Sequence, residues 1–299
     1  MVDPLAEIVT LLQPAARYSK LVEGAGRWRV ERPATGEPFY GAILEGACLL
    51  QIGKRPPEVV RAGDFVLVPG SEPLVNTSID PPPPHVSMLP TPIAEGHFRV
   101  GRQDGPADVR MQGGFCSFGS PDAALLVSLL PEMVLVRGEA RLATLVALVG
   151  EETRARRPAR DLVLERLLEV LLIEALRCGG SGAGTPGLAR GLADDRLGAA
   201  LRALHARPAH GWTVPELARE ASLSRSAFFA RFNRMMGLAP MEYLLAWRMA
   251  LARRLLRGRD MAVEQVAEKV GYGSASAFAV AFARHVGVPP ARYARTAAA

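Results

Sequence analysis

The sequence predicts an α+β chain in two parts. The first is a small β sandwich or barrel followed by helices, and the second is an all-α part with two helix–turn–helix units. Three observations predict this: short strand-like segments before residue 118, helical periodicity after Asp122, and an internal repeat of about 50 residues near the C-terminus. A length of 299 residues with 49% hydrophobic and 22% charged content suits two domains, each able to bury a core. No run of about 18 uncharged apolar residues exists, because the stretch Leu125 to Val136 is short and holds Pro131. The N-terminus lacks the basic start and apolar core of a signal peptide. Three widely spaced cysteines, Cys48, Cys116 and Cys178, argue against a disulfide framework or a zinc cluster. A cytoplasmic protein with no membrane partner is expected.

Taken in order, Arg27–Arg32, Phe39–Ile52, Glu58–Pro69 and Pro73–Thr77 are rich in apolar and β-branched residues. Pro56-Pro57, Ala62-Gly63-Asp64 and the run Pro81–Pro84 punctuate them, as short strands of a sandwich or barrel require. From Asp122 to Arg177 the period is helical. In Asp161–Arg177, Leu164, Leu168, Leu171 and Ala175 form one stripe, widened by Leu167, Val170 and Leu172. A face that broad either packs on the domain's own core or forms a dimer interface. The six glycines of residues 179–191 read as a tether. The expected division is therefore 1–178, a linker 179–194, and 195–299.

The repeat lies in the last part. Val214, Leu217 and Ala218 recur as Val263, Val266 and Ala267; Ser224 and Ser226-Ala227-Phe228 recur as Ser274 and Ser276-Ala277-Phe278. Phe232, Arg234, Gly237 and Pro240 match Phe282, Arg284, Gly287 and Pro290. Each copy, about 214–236 and 263–286, reads as helix–turn–helix. A serine caps the second helix, a Phe pair at i, i+4 turns inward, and a glycine stops it. Met241–Arg257 reads as one long helix between them, with Arg248, Arg253 and Arg254 near its polar face. Residues 1–180 hold 19 Lys+Arg against 22 Asp+Glu, whereas residues 181–299 hold 17 against 8. Sixteen of those 17 are Arg, which suits bidentate contacts to phosphate and guanine. Clustered cations on a duplicated helix–turn–helix point to duplex DNA rather than to a plain bundle.

Residues about 195–296 resemble the AraC/XylS-type DNA-binding domain. The resemblance rests on Leu217-Ala-Arg-Glu-Ala-Ser-Leu-Ser-Arg-Ser-Ala-Phe, Gly237-Leu-Ala-Pro-Met-Glu-Tyr-Leu, Trp247-Arg-Met-Ala-Leu-Ala-Arg-Arg-Leu-Leu, Val266-Ala-Glu-Lys-Val-Gly-Tyr-Gly-Ser and Gly287-Val-Pro-Pro-Ala-Arg-Tyr. It implies two recognition helices that read successive major grooves. Carried over by position, the base-facing sites are Ser226, Phe229 and Ala230, flanked by Arg225, Arg231 and Arg234. In the second unit they are Ala275, Ser276 and Val280, flanked by Arg284. Phe229, Ala230, Ala275 and Val280 can touch a thymine methyl but make no bidentate hydrogen bond to a base. Phosphate contacts and DNA shape are therefore expected to matter, with specificity concentrated under the first unit.

The N-terminal part resembles the cupin-type domain attached to one branch of that family. The stretches that carry it are Asp3-Pro-Leu-Ala-Glu-Ile, Phe39-Tyr-Gly-Ala-Ile-Leu-Glu-Gly and Arg61-Ala-Gly-Asp-Phe-Val-Leu-Val-Pro-Gly. The resemblance implies a cupin-like double-sheet β-barrel with a helical pair, whose interior could hold a ligand. Phe39 and Tyr40 stand where catalytic cupins begin a His-x-His motif, and His85 and His97 make a poor metal set. No catalytic residue, metal or cofactor is expected. Two alternatives to an effector-responsive regulator remain: a cupin metalloenzyme fused to a nucleic-acid-binding module, and a redox sensor using Cys48 and Cys116. The expected partners are duplex DNA, a small-molecule effector, RNA polymerase, and a second copy of the chain through the helices of residues 122–177. The barrel can also lack an effector and serve dimerisation or partner contact alone.

Overall fold

The structure, a computed structural model, describes residues 3–34, 37–70, 72–120, 123–155, 157–179, 186–258 and 260–296. It opens with α1 (Pro4–Leu12), whose first amides are capped by Asp3, Oδ1 accepting from the Leu5 and Ala6 N–H groups at 3.0 and 3.3 Å. Nine strands follow: β1 (Pro14–Ala25), β2 (Arg29–Arg32), β3 (Phe39–Ile52), β4 (Glu58–Arg61), β5 (Phe65–Val68), β6 (Leu74–Thr77), β7 (Thr91–Ala94), β8 (His97–Gly101) and β9 (Val109–Phe118). Then come α2 (Ala123–Val127), β10 (Val134–Val136), α3 (Ala140–Arg154) and α4 (Arg160–Gly179). The remainder is helical: α5 (Leu188–Ala193), α6 (Asp195–Ala206), α7 (Val214–Glu220), α8 (Arg225–Met236), α9 (Pro240–Gly258), α10 (Val263–Lys269), α11 (Ala275–Val286) and α12 (Pro290–Thr296).

These elements form two compact units. One comprises residues 13–119 and 131–185, the other residues 1–12, 120–130 and 186–299. In the first, the strands run β10-β5-β3-β9-β1-β8-β7, with β2 paired to β6 and both β4 and β6 paired to β3. The 14-residue β3 serves both walls of the curled sheet. Its first half pairs with β5 and β9, and its second half with β4 and β6. The transfer occurs at a bulge between Ile43 and Glu45, followed by Gly46 at φ 73°. A Cβ there would strike the Asp108 carbonyl oxygen, so glycine is required at this bend. Val22, Trp28, Val30, Leu50, Val66, Val100 and Phe115 meet in the core between the walls. The helix pair expected after residue 122 is present as α3 and α4, and α4 buries Leu164, Leu168, Leu171, Leu172, Ala175 and Leu176. One part of that stretch is not helical. Val134–Val136 forms β10 and pairs antiparallel with β5, because Pro131 breaks the helix and a Val-Leu-Val run fits a strand edge.

In the second unit, α1 and α2 join the C-terminal helices. The apolar face of α1, with Leu5, Ile8, Val9, Leu11 and Leu12, is buried. Glu7 of α1 reaches His205 of α6, Oε2 to Nδ1 at 2.9 Å, and the other ring nitrogen lies 2.7 Å from the Tyr243 hydroxyl of α9. A neutral imidazole fits both contacts: Nδ1–H donates to the carboxylate and Nε2 accepts from the phenol. Burial lowers the His205 pKa, against the raising effect of Glu7, so the ring is held neutral. Of the expected linker 179–194, residues 180–185 lie outside the described residues, and Leu188–Ala193 is helical.

Candidate nucleic-acid interface

Both copies of the repeat fold alike. Helix α7 begins with a capping box: Thr213 Oγ1 accepts from the Glu216 N–H at 3.4 Å, and Glu216 Oε2 accepts from the Thr213 N–H at 2.8 Å. The turn uses Ser222 at φ 51°, with the Leu223 N–H donating to the Ala218 carbonyl at 2.9 Å. Ser224 then caps α8 by accepting from the Ala227 N–H at 3.3 Å, as Ser274 caps α11 by accepting from Ala277 at 3.2 Å. Each capping hydroxyl also lies beside the serine two residues on, at 3.4 Å for Ser226 and 3.1 Å for Ser276. Phe228 and Phe232 stack at 5.5 Å and Phe278 and Phe282 at 5.4 Å, all fully buried. The left-handed glycines Gly237 (φ 79°) and Gly287 (φ 86°) end the two helices. Helix α9 joins the units, burying Tyr243, Leu244, Trp247, Met249 and Ala250.

With the Phe pair inward, the opposite face of α8 is turned to solvent. It presents Arg225, Ser226, Phe229, Ala230, Asn233 and Arg234, with Phe229 44% exposed. On α11 the outward stripe is Ser276, Val280 and Arg284, with Val280 71% exposed and Ala275 half-buried. Nine of the ten expected contact residues therefore lie on or beside these two faces.

Arg231 does not. Its guanidinium turns to the nearly buried Asp194, with Nε and a terminal nitrogen at 2.7 and 2.6 Å. Asp194 also caps α6 by accepting from the Arg196 and Leu197 N–H groups. Burial works to raise this carboxyl, but the hydrogen bonds from Arg231 and the backbone outweigh it, and its pKa is lowered. Arg248, expected near the solvated polar face of the long helix, instead donates to the Pro208 and His210 carbonyls at 2.9 and 2.8 Å. Arg254 is exposed on α9.

Sequence reasoning passed over Asn233. Its spacing of i+7 from Ser226 and i+4 from Phe229 places it on the same face, and its amide can make the bidentate adenine contact the other apolar positions cannot. That spacing was the available signal. The equivalent position of the second copy is Ala283.

The cysteines considered for redox sensing are buried. Burial pushes the Cys48 and Cys116 thiols up to about 12, which keeps them protonated and poor nucleophiles. His97 lies 3.2 Å from Glu23, which also meets Arg99 at 3.2 Å. Among the described residues, no three His, Cys, Asp or Glu side chains gather as a metal site, and no helix is long and apolar enough to cross a membrane.

Residues 3–178 match a cupin family, and residues 217–296 match a helix-turn-helix domain family. An AraC-like transcription regulator of Streptomyces lividans is 34% identical, with 97% of each chain covered. One of Streptomyces antibioticus is 36% identical, covering 97% of this chain and 98% of that one. Among solved structures, the DNA-binding domain of AdpA in complex with a target DNA is 32% identical over 34% of this chain and 92% of its own, at a TM-score of 0.33. With a cupin domain ahead of a helix-turn-helix domain, and near full-length identity of about a third to such regulators, the chain belongs to the AraC-like transcription regulators.

Proposed function

We propose that this regulator reads duplex DNA by laying α8 and α11 in major grooves, and that a ligand in its barrel or self-association through α3 and α4 modulates the binding. The observation that carries it is the duplicated outward stripe. Two equally capped 12-residue helices bury matching Phe pairs and turn Ser226 and Ser276, with Arg225, Arg234 and Arg284, to solvent. Serines at the starts of the stripes and arginines beside them suit base-edge and phosphate contacts respectively. Arg231 acts as an internal tie rather than a phosphate contact. The protein works as a regulator and not as a catalyst, in the cytoplasm on chromosomal DNA, with RNA polymerase as a further partner. Self-association is supported by an apolar outer face on α3 and α4, where Leu148, Leu162, Val163 and Val170 are each at least 40% exposed.

Selection of bound sequences from a random duplex pool tests the DNA reading, and a defined consensus is expected. Affinity for it should fall on the order of a hundredfold between 50 and 200 mM salt, given several arginine–phosphate contacts. Folded protein that enriches no sequence would refute it. Sedimentation of the wild type and of Val163→Glu checks self-association: a dimer in the first and a monomer in the second are expected.

A further inference from the structure

Helix α9 is one rod with two apolar seats. Its first half serves the first copy of the repeat, where the Tyr243 ring meets Phe232 at 6.0 Å. Its second half serves the second copy, where Met249, Ala252 and Leu256 pack with Val266, Phe278 and Phe282. Apolar packing is non-directional, so two separate seats leave the angle between α8 and α11 weakly specified. Arg248 stands at the changeover between them, half-buried. Its Nε donates to the Pro208 carbonyl at 2.9 Å and its Nη2 to the His210 carbonyl at 2.8 Å. These carbonyls belong to the loop that leads into α7. The same loop is stiffened from within. The Trp212 N–H donates to the His210 carbonyl at 2.7 Å, its indole N–H donates to the Arg207 carbonyl at 3.0 Å, and the Arg207 guanidinium lies 4.7 Å from the indole ring.

The second copy meets that guanidinium at its turn. A Cβ on Gly271 would lie 2.6 Å from Arg248 Nη2 and 2.7 Å from the Ala209 carbonyl oxygen. With φ at 83°, glycine is required here by backbone conformation as well as by space. Tyr272 follows, and its ring packs on Phe278 of α11 at 5.5 Å. The turn of the second copy therefore presses on the loop of the first, with Arg248 held in the join. Arginine suits the place. Its planar fork spans two carbonyls two residues apart, whereas an ammonium is a single point of charge. Hydrogen bonds from a charged donor are also directional, which the two apolar seats are not.

We propose that Arg248 is a positioning residue that locks the mutual angle of α8 and α11 before DNA is met, by clasping the loop into α7 against the turn of the second copy. The clasp is a property of the free protein, and only its consequence at DNA rests on the two-groove reading above. Two helices held at the binding geometry lose less freedom at the second contact, so affinity and discrimination of half-site spacing rise together. Spin labels on Phe229→Cys and Val280→Cys, both exposed, in a Cys178→Ser background of the full chain report the α8–α11 distance without DNA. Pulsed double resonance should give one narrow distance with Arg248 and a broad distribution with Arg248→Met. Arg248→Lys keeps the charge and reaches one carbonyl at a time, so it should broaden the distance partly even where Arg248→Met is too unstable to measure. The unlabelled proteins are then tested on the selected duplex with one base pair inserted between half-sites, a shift of about 3.4 Å along the axis. The insertion should cost the wild type about tenfold in affinity. Arg248→Met should bind the uninterrupted site about tenfold more weakly, yet lose no more than about threefold on insertion. A broad wild-type distance, or a folded Arg248→Met that keeps either the narrow distance or the full insertion loss, overturns the clasp. A distance that broadens as expected in Arg248→Met, with a wild type indifferent to the insertion, upholds the clasp and refutes the two-groove reading instead.

Discussion

Replacing Arg231 with alanine separates an arginine that holds the fold from one proposed to meet DNA. Arg231 and Arg234 are neighbours on α8 and look interchangeable as phosphate contacts. In the structure they differ: Arg231 makes two contacts of 2.7 and 2.6 Å to Asp194, whose side chain is 5% exposed, and Arg234 lies exposed. Removing one partner of a fully buried ion pair costs about 3–5 kcal/mol. Here the Arg231 side chain is 39% exposed, and Asp194 keeps the Arg196 and Leu197 amides, so solvent screening and the surviving bonds reduce the loss. A cost of about 1–3 kcal/mol remains, enough to lower the melting temperature of the helical unit by roughly 5–10 °C. Arg234→Ala should stay within about 0.5 kcal/mol in stability. It should weaken every DNA sequence alike and reduce the slope of log affinity against log salt by about one. Thermal unfolding and salt titration of both variants check this. Equal melting temperatures for the two variants, or a salt slope lowered by Arg231→Ala in folded protein, would refute the division of labour.

Further outcomes follow from the same geometry. Asn233→Ala should relax preference at one base pair by about 1–3 kcal/mol under the first unit, while Ser276→Ala is nearly silent; binding-site selection with each variant reads this directly. Phe232→Ala and Phe278→Ala should each destabilise by about 3–5 kcal/mol, measured by chemical denaturation, because both rings are fully buried in their units. His205, held neutral by burial, binds its proton less readily folded than unfolded. Stability should therefore be full above the unfolded value of about 6.5 and fall as pH drops below it, with His205→Gln flattening that dependence in pH-resolved denaturation.

How much of this was legible in the sequence depends on the distance over which each feature is decided. The helix–turn–helix units were legible because their determinants are local and written twice. Capping serines, Phe pairs at i, i+4 and stop glycines fall within each copy, and the structure sets helices of 12 residues on both. Strands β2 to β6 were also legible from alternating runs and turn residues. Strand β1 was not, because Pro14–Ala25 mixes small, charged and apolar residues and becomes a strand by pairing with β9 and β8 far along the chain. The membership of α1 is likewise decided at long range, by Glu7 meeting a histidine 198 residues away.

The same rule governs the candidate site. A cation on a recognition helix is visible in sequence, but its use is not, since the carboxylate that claims Arg231 lies 37 residues earlier. Arg248 is claimed in the same way by the Pro208 and His210 carbonyls, about 40 residues before it. Charge counts thus overstate the DNA-facing charge of a helical domain, because they include arginines that its own loops and caps consume. With Arg231 and Arg248 withdrawn, the exposed cations on α8 are Arg225 and Arg234, against Arg284 alone on α11. The first helix then holds Ser226, Asn233 and two arginines on its open face, and the second holds Ser276 and one. Withdrawing the structural arginines leaves an asymmetry between the exposed faces of the two helices, and Asn233 with no polar counterpart at Ala283 sharpens it.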